Sequence, residues 1–462
     1  MQFGKALVVL SLVLVAHVCL GRDYSGKTFF KSQPLMLPVG GSFFDSAPES
    51  NFVENEIFKD FKVDVAVVYR MSRAPEKLGA FFASNDVDNQ VSIGATAGDY
   101  DVFNQKIIYY DVNSGYQAPL LRGTFSLCPR ETIRGLSFAA RKWLGKFYCD
   151  VALVCGEAEH EWQLAIKDAV IDPVTGLHAI SYFQGMVKTS QQNPLLYGTI
   201  VDGIPTNGYE VFNCTITAGA DTEIAGGGRI GLFGQVVLPA ASYKYHPELF
   251  SPVVGNVGHM GFGVGARSIV NLAQTKKLTV GCFSVARAMK FFNKDEKRVP
   301  GVLLGTQVGN ASELWGQYLL GKKTTASVYD PLVNLVGPQL LGVLPGPEFS
   351  LELGLFAEAQ SGMMSLGYKA WLRGDEELTL RDQPVDASVR YDRVLATGDY
   401  ALSPNLESCR VPSVVTHTLS LEGVVYVREG TGALRGQVGY EWATGNAALH
   451  NVVASLGVNI AF

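Results

Sequence analysis

Ionisable side chains recur at every second position within several apolar segments of this chain. Asp64 and Arg70 share a phase within residues 63–72, and Lys369 and Arg373 share one within residues 364–373. A row of both signs on one strand face could bind and pass small polar solutes, because charges inside membrane-spanning segments usually line a pathway. The residues that we predict to line a pore are Arg70, Arg229, Arg267, Arg287, Glu352, Lys369, Arg373, Glu422, Arg435 and Glu441, with Asp64 and Asp150 in the same phase. The alternative is that these charges pair across a narrow, plugged interior and only hold it together.

Catalytic and metal-binding patterns are absent from the sequence. Six histidines follow residue 21, at His160, His178, His246, His259, His417 and His450. None lies in a Gly-x-Ser-x-Gly or His-Glu-x-x-His pattern, and no two have the spacing of metal ligands. His259 is interpreted as a loop-rim residue. We therefore expect no enzyme activity, metal or cofactor, and the net charge of -5 gives no basic footprint for nucleic acid.

The segments that carry these charges alternate strictly between an apolar face and a polar or small one. A period of two is the pattern of a β-strand, and one wholly apolar face suits a strand with lipid on one side. The clearest segments are 63–72, 349–356, 364–373 and 434–442; similar ones are 132–144, 146–159, 207–219, 227–239, 258–271, 277–291 and 413–428; weaker ones are 77–86 and 89–98. These patterns predict an all-β protein.

Connection lengths sort into two classes along the chain. Short turns near 144–146, 220–226, 271–277, 360–362 and 428–432 alternate with long connections near 160–206, 240–257, 292–348 and 375–412. Membrane barrels have short periplasmic turns and longer extracellular loops. We predict a transmembrane antiparallel up-and-down β-barrel of fourteen strands, or of twelve if residues 77–98 form a loop.

The C-terminal residues continue the same alternation to the end of the chain. Val452, Leu456, Val458, Ile460 and Phe462 share one face, and Ser455 and Gly457 lie on the other. This ending resembles that of bacterial outer-membrane β-barrel proteins. The resemblance implies that Ser455, Gly457, Val458, Ile460 and Phe462 form an assembly signal, read by the barrel-assembly machinery as a partner.

The N-terminal residues predict export. Residues 1–21 have a charged Lys5, an apolar run and small residues before a cleavage site, which is typical of a signal peptide. No later run of about 18 apolar residues predicts a spanning helix. Residues 22–57 carry the aromatic pairs Phe29-Phe30 and Phe43-Phe44, which favour a packed lead or plug over a disordered leader. Residues 58–462 form the predicted barrel with its long extracellular loops.

A second resemblance covers most of the chain after residue 21. Residues 27–30, 123–129 and 249–256, the last followed by the Gly-rich segment 259–266, are similar to pieces of an uncharacterised outer-membrane family of intracellular or amoeba-associated bacteria. The resemblance implies a fold and a compartment but no activity.

The function predicted from these patterns is a porin-like channel in the bacterial outer membrane for passive diffusion of small polar solutes. The first alternative is a non-conducting surface barrel for attachment or envelope structure. The second is a transporter of hydrophobic compounds closed by residues 22–57. Outer-membrane lipid and the solutes are expected partners, and a homo-oligomer is left open. We also expect that joint replacement of Arg267 and Arg435 by Gln shifts the reversal potential of the pore toward cations and leaves heat stability nearly unchanged.

Overall fold

The computed structural model describes residues 61–73, 90–93, 123–126, 130–161, 165–169, 184–186, 193–199, 201, 203–205, 208–224, 228–240, 257–304, 320–323, 325–381, 391–393, 396–400, 402–411, 413–427, 432–443 and 450–461. The predicted signal peptide (1–21), the predicted lead or plug (22–57) and Phe462 lie outside these residues. Within the described ranges, no helix is both long enough and apolar enough to cross a membrane.

Twelve long strands form one closed antiparallel sheet. They are β1 (Phe61–Arg73), β2 (Arg130–Leu144), β3 (Phe147–Glu161), β4 (Glu210–Ile224), β5 (Gly228–Leu238), β6 (Gly261–Gln274), β7 (Leu278–Phe291), β8 (Glu348–Ala359), β9 (Gly362–Arg373), β10 (Val414–Val427), β11 (Gly432–Ala443) and β12 (His450–Ala461). Each strand pairs with the next, and β12 pairs with β1. Closure removes every free edge of this sheet, which is what a barrel requires.

The predicted all-β, up-and-down barrel is confirmed, with twelve strands. The count of fourteen is wrong and the alternative of twelve is right. Residues 77–86 lie outside the described residues. The other weak segment, 89–98, contains the short strand Gln90–Ile93, which pairs with Gly123–Ser126 in a small sheet outside the barrel. The alternation of apolar and polar residues in this segment therefore belongs to a strand of a connection and not to a barrel strand.

Alternating side chains of each barrel strand differ sharply in exposure. On β1, Val65, Val67 and Tyr69 are exposed, whereas Asp64 and Arg70 are buried. The same alternation places the large exposed apolar side chains of the other strands on the outer face; examples are Leu232, Val264, Leu355, Leu366, Val438 and Leu456. The outside of the barrel is therefore apolar, and the charged phase of the sequence faces the lumen.

The two ends of the barrel differ in the length of their connections. Short connections at 145–146, 225–227, 275–277, 360–361 and 428–431 join strands at one end, which we call the turn end. The connections at the other end, which we call the loop end, include the long segments 74–129, 162–209, 292–347 and 374–413. The predicted sorting of connection lengths is thus present in the structure.

The long connections carry secondary structure of their own, which we call the loop layer. Its strands are Gln90–Ile93, Gly123–Ser126 and Ala165–Ala169 in one sheet; Lys294–Arg298, Gln339–Leu344 and Glu377–Leu380 in a second; Gly301–Leu304 and Leu402–Asn405 in a third; and Leu320–Lys323, Asp330–Pro331, Tyr391–Arg393 and Ala396–Tyr400 in a fourth. Ile204–Pro205 pairs with β3, α1 spans Leu332–Val336, and a 3-10 turn spans Leu406–Cys409. Leu341, Val343 and Cys409 form a small core of this layer.

Aromatic rings inside the barrel lie against glycines of neighbouring strands. A Cβ added to Gly265 would lie 2.2 Å from the Phe233 ring, and one added to Gly354 would lie 2.2 Å from the Phe283 ring. Gly219 has the same relation to Tyr148. Glycine is needed here because any side chain would push the ring away from the wall. These contacts give a structural role to part of the glycine content of the chain.

Candidate functional site

The structure places all ten predicted pore-lining residues in the lumen phase of their strands. Nine are nearly inaccessible to solvent, and Arg229, near the turn end of β5, is partly exposed. Their burial has a consequence for the chemistry of the lumen. A buried charge is stable only with a counter-charge or several hydrogen bonds, so the partners decide what these residues can do.

Two ion pairs join β1 to β11 across the last strand, β12. Arg70 Nη2 lies 2.8 Å from Glu441 Oε1, and Arg435 Nη1 lies 2.9 Å from Asp64 Oδ2. Arg435 also lies 2.7 Å from Glu422 of β10. At Arg435 the intervening strand allows this reach, since its partner in register on β12 is Gly457, which has no side chain. We call the two pairs the seam pairs, because β1 and β12 close the barrel.

A second charged cluster lies on the other side of the lumen. Arg267 of β6 donates from Nε and Nη2 to Asp221 of β4 at 2.9 and 2.7 Å. Its guanidinium carbon lies 4.2 Å from the centre of the Tyr148 ring and 5.7 Å from that of Trp143. Tyr148 is on β3, so this cation–π contact spans three of the twelve strand-to-strand steps. The contact therefore joins β6 and β3 through the lumen and not along the wall.

Arg141 completes the cluster from β2. It donates from Nε and Nη2 to Asp150 at 3.2 and 2.7 Å, and its guanidinium lies 5.0 Å from the Tyr148 ring centre. Tyr148 thus lies between two guanidinium groups. Arg267 and Arg435 each belong to a buried ion pair, which argues against the expectation that their replacement by Gln leaves heat stability unchanged.

Apolar side chains fill much of the remaining lumen. Tyr148, Phe233 and Val285 form one buried cluster with Trp143 against it, and Ile269, Phe356 and Met363 form another. A third cluster, towards the loop end, contains Val68, Ile133, Val154, Ala158, Phe212 and Val453. Apolar clusters and buried ion pairs thus share the lumen face of the described strands.

A buried charged network lies where the loop layer meets the barrel. His259 Nε2 lies 2.7 Å from Glu296 Oε1, and Arg298 donates to Glu296 at 2.8 Å and to Glu376 at 2.7 Å. Arg373, the last residue of β9, lies 3.3 Å from Glu376. His259 also contacts the carbonyl of Phe292 through Nδ1. His259, interpreted from the sequence as a loop-rim residue, lies two residues before β6 at the loop end and is buried.

This network favours the charged forms of Glu296 and Arg298. Burial alone would raise the pKa of the Glu296 carboxyl, but Arg298 and His259 beside it lower that pKa to about 2. Burial would lower the pKa of the Arg298 guanidinium, but Glu376 and Glu296 raise it well above its usual value. Buried ion pairs between side chains therefore join the loop layer to the barrel mouth.

The predicted assembly residues lie on both faces of β12. Ser455 and Gly457 face the lumen, whereas Val458 and Ile460 are exposed on the outer face. A Cβ on Gly457 would lie 2.9 Å from the Cβ of Ala66 on β1, so the glycine permits close approach at the closing pair of strands.

Several residues of these clusters were missed by reasoning from the sequence. Asp221 fell in a predicted turn, and Glu296 and Arg298 belong to the run Lys294–Arg298, whose composition is typical of a solvated loop. Trp143 and Tyr148 flank a predicted turn. The single usable signal was the phase of Trp143 and Tyr148, which both belong to the lumen face of their strands. Among the described residues, no three His, Cys, Asp or Glu side chains gather as metal ligands.

No family model matches this sequence, and no curated protein matches it. The fold is similar to an outer membrane channel from Pseudomonas putida F1, at 9% identity and a TM-score of 0.40 over 89% of this chain and 100% of that chain. It is similar to the toluene transporter TodX of Pseudomonas putida, at 8% identity and a TM-score of 0.37 over 95% and 96% of the two chains. It is also similar to the outer membrane protease OmpT from Escherichia coli, at 7% identity and a TM-score of 0.27 over 88% and 97%. Such distant similarities concern the barrel fold and carry no activity over to this chain.

Proposed function

We propose that this chain is a bacterial outer-membrane barrel that passes small polar solutes along a charged lumen wall. The observation that supports the proposal is the set of buried ionisable side chains on the lumen side of membrane-spanning strands. Such residues are costly to bury and usually mark a pathway for ions or polar solutes. These charged residues do not serve only to close the sheet between β1 and β12. Glu352 and Lys369, for example, face each other in register on β8 and β9, far from that closure.

The membrane part of the proposal rests on the outer surface. Large apolar side chains are exposed on the outer face of every barrel strand, from Val65 on β1 to Leu456 on β12. A soluble protein rarely exposes a continuous apolar belt of this kind. A barrel surrounded by lipid requires one, because lipid touches its whole circumference. Export through residues 1–21 and insertion by the barrel-assembly machinery belong to the same proposal.

Ion pairs and apolar clusters occupy the lumen, and the Arg267–Tyr148 contact crosses it. We therefore propose a narrow channel of small conductance. Solutes would have to exchange with the paired carboxylates and guanidinium groups, which favours polar molecules over apolar ones.

A second candidate function is that of a non-conducting surface barrel. The folded loop layer favours it, because Asn193 and Asn334 tie two long connections together through hydrogen bonds of 2.9 Å to Tyr329 O and 2.7 Å to Pro194 O. Loops with their own core present a fixed surface at the loop end, which attachment would need.

Conductance across a planar bilayer separates the two candidates. The refolded wild-type protein should give small, discrete current steps. The double variant Arg267→Gln/Asp221→Asn removes the contact across the lumen without leaving one charge unpaired, and it should give larger steps. A matched double variant, Arg381→Gln/Asp295→Asn, removes an exposed pair outside the barrel strands and should conduct like the wild type. If neither the wild type nor the widened variant conducts, the channel proposal fails and the surface-barrel proposal replaces it.

A further inference from the structure

We infer that Arg70 is a binding subsite for an oxyanion, a carboxylate or phosphate group, within the barrel lumen. Its transport role rests on the proposed function, but the binding itself does not. Arg70 is completely buried, and its Nη2 donates to Glu441 Oε1 at 2.8 Å. Its Nε and Nη1 have no hydrogen-bond partner among the described residues.

Two open donors distinguish Arg70 from Arg141 and Arg267, two other arginines of the lumen. Arg141 and Arg267 each donate from two nitrogens to one aspartate, and Arg435 contacts both Asp64 and Glu422. Arg70 has a single carboxylate partner held through one nitrogen. A guanidinium stays charged at every physiological pH, so it cannot reduce the cost of its unpaired donors by losing a proton.

The surroundings of Arg70 strengthen the case for an added anion. In register, Arg70 faces Ile133 of β2 and Val453 of β12, each 1% exposed. Neither side chain offers an acceptor. In an apolar environment a charge attracts a counter-ion more strongly than it does in water. Buried donors without a protein partner usually bind an ordered water or a ligand.

Small residues face the lumen one position further along the wall from Arg70. Gly439 of β11 is paired with Val453, and Ser455 of β12 is paired with Val68. No aromatic side chain of the described residues faces the lumen from β1, β11 or β12, in contrast to the opposite wall with Phe233 and Phe283. Val68, Ile133 and Val453 beside Arg70 pack with Phe212 in a buried apolar cluster, so a solute carrying a carboxylate or phosphate would reach Arg70 from the side of Gly439 and Ser455.

The geometry also indicates the mode of binding. Guanidinium nitrogens bind oxyanions through two parallel hydrogen bonds, which a carboxylate or a phosphate can accept. Glu441 uses one oxygen on Nη2, and Thr418 lies 3.4 Å from its other oxygen, so Glu441 does not occupy the remaining nitrogens. We expect small oxyanions to bind and halide ions to bind more weakly.

Thermal unfolding of the refolded full chain tests this subsite at pH 7. Phosphate and acetate, each compared with chloride at equal ionic strength, should raise the unfolding midpoint of the wild type by about 2–4 °C. Arg70→Gln should abolish the rise. Because this variant leaves Glu441 buried without its partner, the double variant Arg70→Gln/Glu441→Gln is measured as well, and it should also lack the rise. The matched control Arg141→Gln/Asp150→Asn removes another buried lumen pair and should keep it.

The outcomes separate the subsite from the channel. A wild type that shows no preference for phosphate or acetate over chloride overturns the subsite, because water then satisfies Arg70. A rise that survives in both Arg70 variants overturns it too. A response to phosphate alone or acetate alone identifies which oxyanion the subsite takes. An Arg70-dependent rise in the unfolding midpoint without any bilayer current would support the subsite and overturn the channel proposal.

Discussion

Arg70 and Glu441 lie 371 positions apart in the sequence, yet their side chains meet at 2.8 Å inside the barrel. Asp64 and Arg435 have the same sequence separation and meet at 2.9 Å. Both pairs pass over β12 and connect the first strand to the penultimate one. Backbone hydrogen bonds between β1 and β12 close the barrel. Two buried ion pairs between β1 and β11 strengthen this closure.

Removal of Arg435 should destabilise the barrel strongly. Arg435→Leu leaves Asp64 and Glu422 buried without their common partner, and breaking a buried pair in this way costs about 3–5 kcal/mol. Urea unfolding of the refolded barrel in lipid measures this cost. The control is Arg381→Leu, because Arg381 and Asp295 form an exposed pair, with 45% and 54% of the side chains accessible; its cost should be below about 1 kcal/mol. Equal losses in the two variants would show that the seam pairs do not stabilise closure.

A charged residue introduced on the outer face near the middle of a strand should destabilise the barrel. Leu353→Arg or Val438→Arg places a charge in lipid and should cost roughly 2–4 kcal/mol of barrel stability, measured by unfolding in lipid vesicles. Leu196→Arg is the control, since Leu196 is exposed on a loop-end connection outside the barrel strands. Unchanged stability of the two strand variants would mean that these faces do not contact lipid.

Glycines that support aromatic rings should be less replaceable than glycines on the outer face. Gly354→Ala forces the Phe283 ring away from the wall and should cost about 1–3 kcal/mol, as overpacking does in other cores. Gly436→Ala should be neutral or slightly stabilising, because a Cβ added to Gly436 on the outer face would meet no atom within 4 Å beyond its chain neighbours. The same unfolding assay measures both variants, and a neutral result for Gly354→Ala would contradict the packing described.

Acid should loosen the loop layer through Glu296. Its folded-state pKa of about 2 lies below the usual value of 4.5, so the ionised carboxylate stabilises the fold at pH values above about 4.5. That contribution is lost as the pH falls from about 4.5 towards 2. Pepsin cleavage of the loop layer, measured across this range, should increase as the pH falls. Glu296→Gln should be cleaved more readily at pH 4.5 and should show a smaller change on acidification, whereas Asp295→Asn, at an exposed neighbour, should follow the wild type.

The last residue should matter for assembly and not for export. Deletion of Phe462 removes the aromatic end of the predicted assembly signal, so the protein should reach the periplasm but insert slowly and remain sensitive to periplasmic proteases. Pulse labelling with a heat-modifiability assay measures the insertion rate. Phe462→Tyr keeps an aromatic ring at the same position and serves as the control, with insertion close to the wild-type rate. Insertion of the truncated chain at the wild-type rate would remove the role assigned to Phe462.

The strands could be predicted from the sequence because membrane barrels expose one face to lipid. Residues such as Val65 and Leu355 had to be apolar, and their neighbours Asp64 and Glu352 did not, so the period of two was visible. The number of strands was less certain, since Gln90–Ile93 forms a strand of the loop layer with the same local alternation. The partners of the lumen charges could not be predicted. Arg267 meets Asp221 and Tyr148 through the curvature and stagger of the closed sheet, which one sequence does not encode in any local pattern.

We expect the seam pairs to form late in folding of the barrel. Contacts between residues so far apart in sequence are slow to form, because the chain must lose much conformational freedom before they contribute. Until β12 arrives, the edge of β1 that faces away from β2 is unpaired, and Asp64 and Arg70 lack their contacts with Arg435 and Glu441. Such an edge is a site for pairing with other chains. A nascent or truncated chain would therefore expose this edge of β1 together with Asp64 and Arg70. Pairing of β12 with β1 would cover the edge and bring both ion pairs together in a single step.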